Sequence, residues 1–453
     1  MKKHLTNAFF GAVDYISYPA GMLLVAPIVL HRLGASEYGL WMVATAIISA
    51  GGIVASGFCD AGIQRVARLR GSGDRSSIAD TVRSILAINL VLGSALAAMG
   101  WIAAPWLAPH LAASTTVASR LAFSRLMSSR ECLISLRIAS VAILARAVET
   151  VGVSTLRGFE EYRDTVQVSS ALRLVTLGGA AVLALLGKRT ISILLLTAIL
   201  LVLGAWVQFR LVRTRLGPVS LWPRFHTRET RLLLGTGSFV WLQALGSVIF
   251  GQLDRILLGV TAGALVVAPY ALCVQFAQPV FGLVASGLHF LFPYLSGRAG
   301  ALSKRAFRQT IGRAFACNLL LVAGGAAILL AVGPRLIRIW AGAAVAHTAA
   351  AVLPPIVFGS ALMGLSVTGT YAMQALGLFR TVALLSIAGR AAMLPLLLAL
   401  LHHHGLHGLA DSRLIYGAVA LIVYLPLLAK LRITRDTPAS LPVPYAVQEG
   451  RLP

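Results

Sequence analysis

Apolar runs of about twenty residues recur along the whole chain, each long enough to carry a helix across ~30 Å of hydrocarbon at ~1.5 Å per residue. Twelve can be read, over 9–30, 38–58, 82–108, 132–153, 166–186 and 191–210, then 232–253, 262–290, 311–333, 349–372, 381–401 and 413–430. Across 453 residues, 58% are hydrophobic and only 12% charged, about half the charge fraction of a soluble domain. In lipid every backbone polar group must be bonded internally, and runs of this length do so as helices. The predicted fold class is therefore an all-α integral membrane protein with about twelve transmembrane helices.

The runs fall into two similar halves. GIVASG at Gly52–Gly57 returns as GLVASG at Gly282–Gly287, and YRDTVQVSSALR, ending at Arg173, returns as FRTVALLSIAGR, ending at Arg390. Both echoes keep the same order, which predicts two repeat-related six-helix lobes around a central cavity, where repeat-built transporters hold their substrate. The expected division is an N-lobe over 1–210, a cytoplasmic connector over 211–231, a C-lobe over 232–435 and a flexible tail over 436–453.

Net charge of +24 would suggest nucleic acid in a soluble protein. Here most of the 39 lysines and arginines sit at the two termini and in alternate loops, which is the orientation signal of a membrane protein and places both termini in the cytoplasm. Anionic lipid also favours those loops, and nucleic acid is not an expected partner. Lys2 and Lys3 precede a first apolar run with no small-residue cleavage site, so a retained helix is expected. Cys59, Cys132, Cys273 and Cys317 are too scattered for a metal knuckle or a disulfide framework. His402, His403, His404 and His407 lack carboxylate or thiol support beyond Asp411, so no metal is assigned. Neither a phosphate loop nor a Ser-His-Asp or HExxH arrangement occurs. No catalytic residue or cofactor is expected, and transport would draw on an ion gradient or on product consumption.

Charges inside apolar runs cost roughly 2.5–3.5 kcal/mol each at mid-bilayer, so they mark function or deliberate pairing. Arg173 and Arg390 correspond under the repeat, about ten residues or ~15 Å into their helices. They suit bidentate phosphate contact and equally suit snorkelling to the interface. Arg146 and Glu149, three apart on one helix face, read as an ion pair. Asp14, beside Tyr15 and before Pro19, is a candidate ion-coupling carboxylate, as are Glu149 and Asp254. Asp254 and Arg255 adjoin near the outer end of the seventh run, as a gate or a plain charge pair. Gln243, Gln252, Gln275 and Gln278, with Trp241 and Tyr270, offer amides and aromatic faces to sugar, or interhelical hydrogen bonds.

The segment HRLGASEYGLWMVATAIISAGGIVASGFCDAGIQRVARLRG, His31–Gly71, with its turn Leu33, Gly34, Tyr38 and Gly39, resembles the opening of the polysaccharide transporter family. These are Wzx-type oligosaccharide flippases of the multidrug/oligosaccharidyl-lipid/polysaccharide exporter superfamily. RGFEEYRD at Arg157–Asp164 and QLDRILLG at Gln252–Gly259, followed by Tyr270, resemble the turn before the family's fifth helix and the start of its second half. The resemblance implies a V-shaped cavity and a polyprenyl-pyrophosphate-linked oligosaccharide carried across a bacterial inner membrane. It also implies working partners in polysaccharide polymerisation and export. A cation-coupled multidrug antiporter of the same superfamily is the alternative, and an integral-membrane glycan polymerase or ligase is one from another class. The short outer loops weigh against the second.

Overall fold

The computed structural model describes residues 21–72, 74–112, 128–288 and 304–433. Asp14, Pro19, the mildly apolar stretch beyond residue 112 and the C-terminal tail therefore lie outside the described residues, in whole or in large part. The described residues are 92% helical and include no strand, and seven of the helices are long and apolar enough to cross a membrane, two of them broken by a kink into two passes each.

Helices α1 (Gly21–Leu33), α2 (Ala35–Ala55), α4 (Arg75–Ala112), α5 (Ser129–Gly158), α6 (Tyr162–Leu185) and α7 (Thr190–Leu216) build the first lobe. A short amphipathic α3 (Cys59–Ser72) lies between α2 and α4. In the second lobe, α8 (Thr227–Val248) passes through a π turn, Ile249–Leu253, into α9 (Asp254–Ala262), and α10 (Ala264–Gly287) follows. Helices α11 (Lys304–Ala375) and α12 (Phe379–Ala420) each make two passes, broken at Gly342 and Gly405, and α13 (Tyr424–Ile433) continues the last pass. The stretch without helix between the lobes is 217–226.

Local chemistry sets these boundaries. Ser128 accepts from the Glu131 backbone N–H while the Glu131 carboxylate accepts from that of Ser128, a capping box that starts α5. Gly34 (φ 87°) parts α1 from α2, and Gly263 (φ 82°) parts α9 from α10. Both sit in the left-handed region open to glycine, and they occupy equivalent turns of the two lobes. The repeat is thus written in the backbone as well as in the two sequence echoes.

Packing closes one end of the molecule. A single apolar core there joins Tyr38, Trp41, Met42 and Leu111 of the first lobe to Leu258, Val267, Tyr270 and Ala271 of the second. Gly39 lies so close to the Ala264 carbonyl that a Cβ at Gly39 would stand 1.7 Å from that oxygen. At the opposite, arginine-rich end the cores are separate. One holds Phe58, Val66, Ile78 and Leu156 together with Leu233 of α8, and the other holds Phe307, Ile311, Met373 and Leu427. Two lobes joined at one end and separately cored at the other form a V. The lower half of α8 travels with the first lobe, and its π turn is where the helix passes to the second.

Leucines, isoleucines and tryptophans such as Ile102, Trp106, Ile199, Leu320 and Ile339 are exposed on the outer faces of these helices. An apolar exterior of this kind is solvated by lipid, and the protein is a multi-pass membrane protein.

Candidate functional site

The first lobe contains a cavity of about 520 Å³ on its inner side. Helix α2 contributes Trp41, Thr45, Ser49, Gly52 and Ser56, spaced three and four apart so that they share one face. Helix α5 adds Arg146, Glu149 and Thr150, α6 adds Ser169, Arg173 and Thr176, and α7 adds Thr197. The second lobe reaches in through Gln252 on the π turn and Gln278 on α10. A π turn carries one extra residue per turn and so redirects the side chains that follow it. That geometry brings Gln252 to the cavity.

A second compartment of about 460 Å³ adjoins the first, sharing Ile53, Ser56 and Thr150. It lies toward the arginine-rich end and between the lobes, lined by Asp60, Ser154 and Arg157 on one side and by Val382, Ser386 and Arg390 on the other. Four arginines against two carboxylates line the pair of compartments, so the joined space is cationic.

Two of these arginines are placed by a glycine and a polar neighbour. The Arg146 stem crosses Gly52, where a Cβ would stand 2.6 Å from its Cγ, and its guanidinium donates to Glu149 at 2.5 Å. The ion pair read from sequence is present, and it faces the cavity. Arg390 lies against Gly246 of α8 and donates from Nε to the Tyr416 hydroxyl at 3.2 Å. The repeat-related arginines therefore occupy neighbouring compartments, Arg173 the deeper one and Arg390 the one nearer the arginine-rich end.

Other residues singled out by sequence lie elsewhere. Gln275 is buried in the seam between lobes, accepting from the Tyr38 hydroxyl at 3.1 Å and donating to the Met42 sulfur at 3.2 Å. Trp241 donates to the Val54 carbonyl at 2.9 Å and stacks on Phe58, tying α8 to α2. The side chain of Gln243 is outside the description. Asp254 does not pair with its neighbour Arg255, whose contact to it is a backbone N–H at 2.8 Å. Its carboxylate meets the Arg413 guanidinium and accepts from the Tyr270 hydroxyl at 2.5 Å. Tyr270 is fully buried in this triad and, like Arg255, lines neither compartment.

Sequence reading missed Arg413, Arg157, Asp60 and the hydroxyl face of α2. The hydroxyls carried a signal, since Thr45, Ser49 and Ser56 recur at helical spacing within an otherwise apolar run. Among the described residues no cluster of His, Cys, Asp and Glu could hold a metal.

Two lobes enclose a cationic, hydroxyl-lined space, and solved structures share this two-lobe fold. An inward-facing multidrug-resistance MATE transporter of the MOP superfamily superposes with a TM-score of 0.68 at 14% identity, covering 93% of this chain and 99% of that one. The lipid II flippase MurJ in an inward closed conformation gives 0.70 at 13% identity, covering 93% and 87%. An outward-facing MATE transporter gives 0.58 at 14% identity, covering 93% and 96%. No curated protein matches the chain by sequence. A family described as polysaccharide biosynthesis protein matches residues 8–297, and the chain belongs to that family.

Proposed function

We propose that the protein is a flippase for a polyprenyl-pyrophosphate-linked oligosaccharide, moved between leaflets by alternating access for export of a surface or secreted polysaccharide. The observation that carries this reading is the division of the space. The compartment between the lobes, with Arg157 and Arg390, suits a diphosphate, because guanidinium groups match phosphate oxygens bidentately. The deeper chamber, with its hydroxyls, two glutamine amides and Trp41, suits sugar hydroxyls and sugar faces. MurJ, a neighbour in fold, is described as flipping lipid II, and the family is one of polysaccharide biosynthesis.

The distribution of cations supports cytoplasmic termini in a bacterial inner membrane. The compartment nearer the arginine-rich end would then receive cargo from the cytoplasmic leaflet. Polysaccharide polymerase and export proteins are the expected consumers of the product. Of the three candidate coupling acids, Glu149 and Asp254 already hold arginines, so Asp14→Asn is the variant that should remove any dependence on a proton gradient.

Proteoliposomes carrying a polyprenyl-pyrophosphate oligosaccharide with a fluorescent sugar label test the proposal. Transfer of the label to the leaflet shielded from dithionite is expected, driven by the protein alone. A protein that leaves this lipid in place and expels a cationic dye is a multidrug antiporter, and one that lengthens the glycan is a polymerase.

A further inference from the structure

The connector between the lobes, 217–226, is held down at both ends. The Arg83 guanidinium donates to the Ser220 carbonyl at 2.8 Å and is fixed in turn by Asp80 at 2.7 Å. The His226 backbone N–H donates to the Ser84 hydroxyl at 3.2 Å, and Leu221 is buried in the N-lobe core. A segment tied in this way does not turn its aromatic residues outward for lack of structure. Yet Trp222 is 79% exposed and Phe225 55% exposed, with Arg224 and Arg228 exposed beside them.

The level of this patch in the fold is fixed by its neighbours. Arg83 and Ser84 directly precede the apolar part of α4, and α8 shows lipid-facing Leu232 and Leu234 within two turns of its start. The connector therefore lies where hydrocarbon gives way to headgroups. Tryptophan and phenylalanine seat there with their rings toward the acyl boundary, and arginines at that depth attract acidic headgroups. On the same end of the first lobe, Arg210 stacks its guanidinium on Trp206 with 4.7 Å to the ring centroid, repeating the pairing of cation and indole.

We infer that residues 222–228 form a docked binding site for anionic phospholipid at the surface of the arginine-rich end. Trp222 and Phe225 wedge between acyl chains, and Arg224 and Arg228 hold the phosphate-bearing headgroups. Because the same connector joins the lobes, headgroup binding anchors the first lobe to the membrane plane while the second moves.

The full-length protein in vesicles brominated along the acyl chains gives the test. Bromine quenches indole by contact, and the signal of Trp222 among the seven tryptophans is the difference between wild type and Trp222→Phe. That component should be quenched, more strongly by brominated phosphatidylglycerol than by brominated phosphatidylcholine. Arg224→Gln with Arg228→Gln should weaken the preference roughly fivefold for each arginine. A component that brominated lipid leaves untouched and iodide quenches from water overturns the inference and makes the patch a protein-docking surface. Equal quenching by both lipids overturns the anionic part.

Discussion

In the N-lobe, the hydroxyl row of α2 and several polar groups of α5 and α6 line a cavity, beside a separate ionic cluster of Glu37, Glu131 and Arg189; in the C-lobe, the main polar groups face one another. Asp254, Tyr270 and Arg413 close into a buried triad, and Asn318 donates to the Thr368 hydroxyl at 2.9 Å and to the Gly364 carbonyl at 3.0 Å. The backbone plan is common to both, down to the glycine turns at Gly34 and Gly263. The first copy contributes most of the groups that line the joined space, and the second keeps more of its charge paired internally. On the proposed function, asymmetry of this kind would let the second lobe bring Gln252, Gln278 and Arg390 to a cargo seated mostly on the first.

The largest effect expected is on the cationic space that both lobes line. Arg173→Ala with Arg390→Ala should abolish glycolipid transfer in proteoliposomes while the protein still inserts and purifies normally. Each single variant should retain part of the activity, because each lies in a different compartment. Full transfer by the double variant would break the assignment of the cationic space to phosphate capture.

Next comes the C-lobe triad. Removing one partner of a buried ion pair leaves an uncompensated charge, at a cost of about 3–5 kcal/mol. Arg413→Ala should therefore lower thermal stability in detergent sharply, and Asp254→Leu with Arg413→Met should recover most of it. Glu149→Gln is the matching change in the N-lobe and should cost less, since Arg146 is 36% exposed to the cavity whereas Arg413 is 17% exposed. Equal losses would show that the lobes differ less than the contacts imply.

That ordering also explains what could be read from sequence. The apolar helices, the two lobes and the Arg146–Glu149 pair all depend on residues close in the chain or on period, and they are present among the described residues. Arg173 and Arg390 could be singled out because a repeat marks position independently of contacts, and both line the joined space. The partner of Asp254 was not found, because Arg413 lies 159 residues away and at the edge of a run it looked like an ordinary loop cation. Tyr270 and Gln275 had the right chemistry for sugar, but chain order does not say whether an amide or a phenol faces a cavity or a seam. Their burial follows from the packing of α2 on α10, which no local pattern encodes.

A smaller, conformational effect is expected where the lobes meet. With no room for a Cβ beside the Ala264 carbonyl, Gly39→Ala must push α2 away from the start of α10. The closed end should loosen, raising the share of molecules open at that end by distance measurements between spin labels placed across the seam. Unchanged distances would mean that the seam adapts locally and that its closeness does not hold the conformation.

At the other end the lower half of α8 is held to the N-lobe by charge. Arg65 of α3 grips Glu229 at the start of α8 through two hydrogen bonds, at 2.8 and 2.7 Å, and the Thr81 hydroxyl donates to the same carboxylate at 3.1 Å. The Arg65 hydrogen bonds hold the Glu229 carboxyl below its ordinary value of 4.5. A depressed carboxyl stabilises the fold fully above that ordinary value and loses its contribution as pH falls through the lowered one. Glu229→Gln should thus cost about 1–3 kcal/mol near pH 7 and nothing once the wild-type carboxylate is protonated, so melting curves of the two proteins should converge in acid. A constant gap down to pH 3 would show that the contact works by shape and not by charge, and that the lower half of α8 is bound to the N-lobe through Trp241 and Phe58 instead.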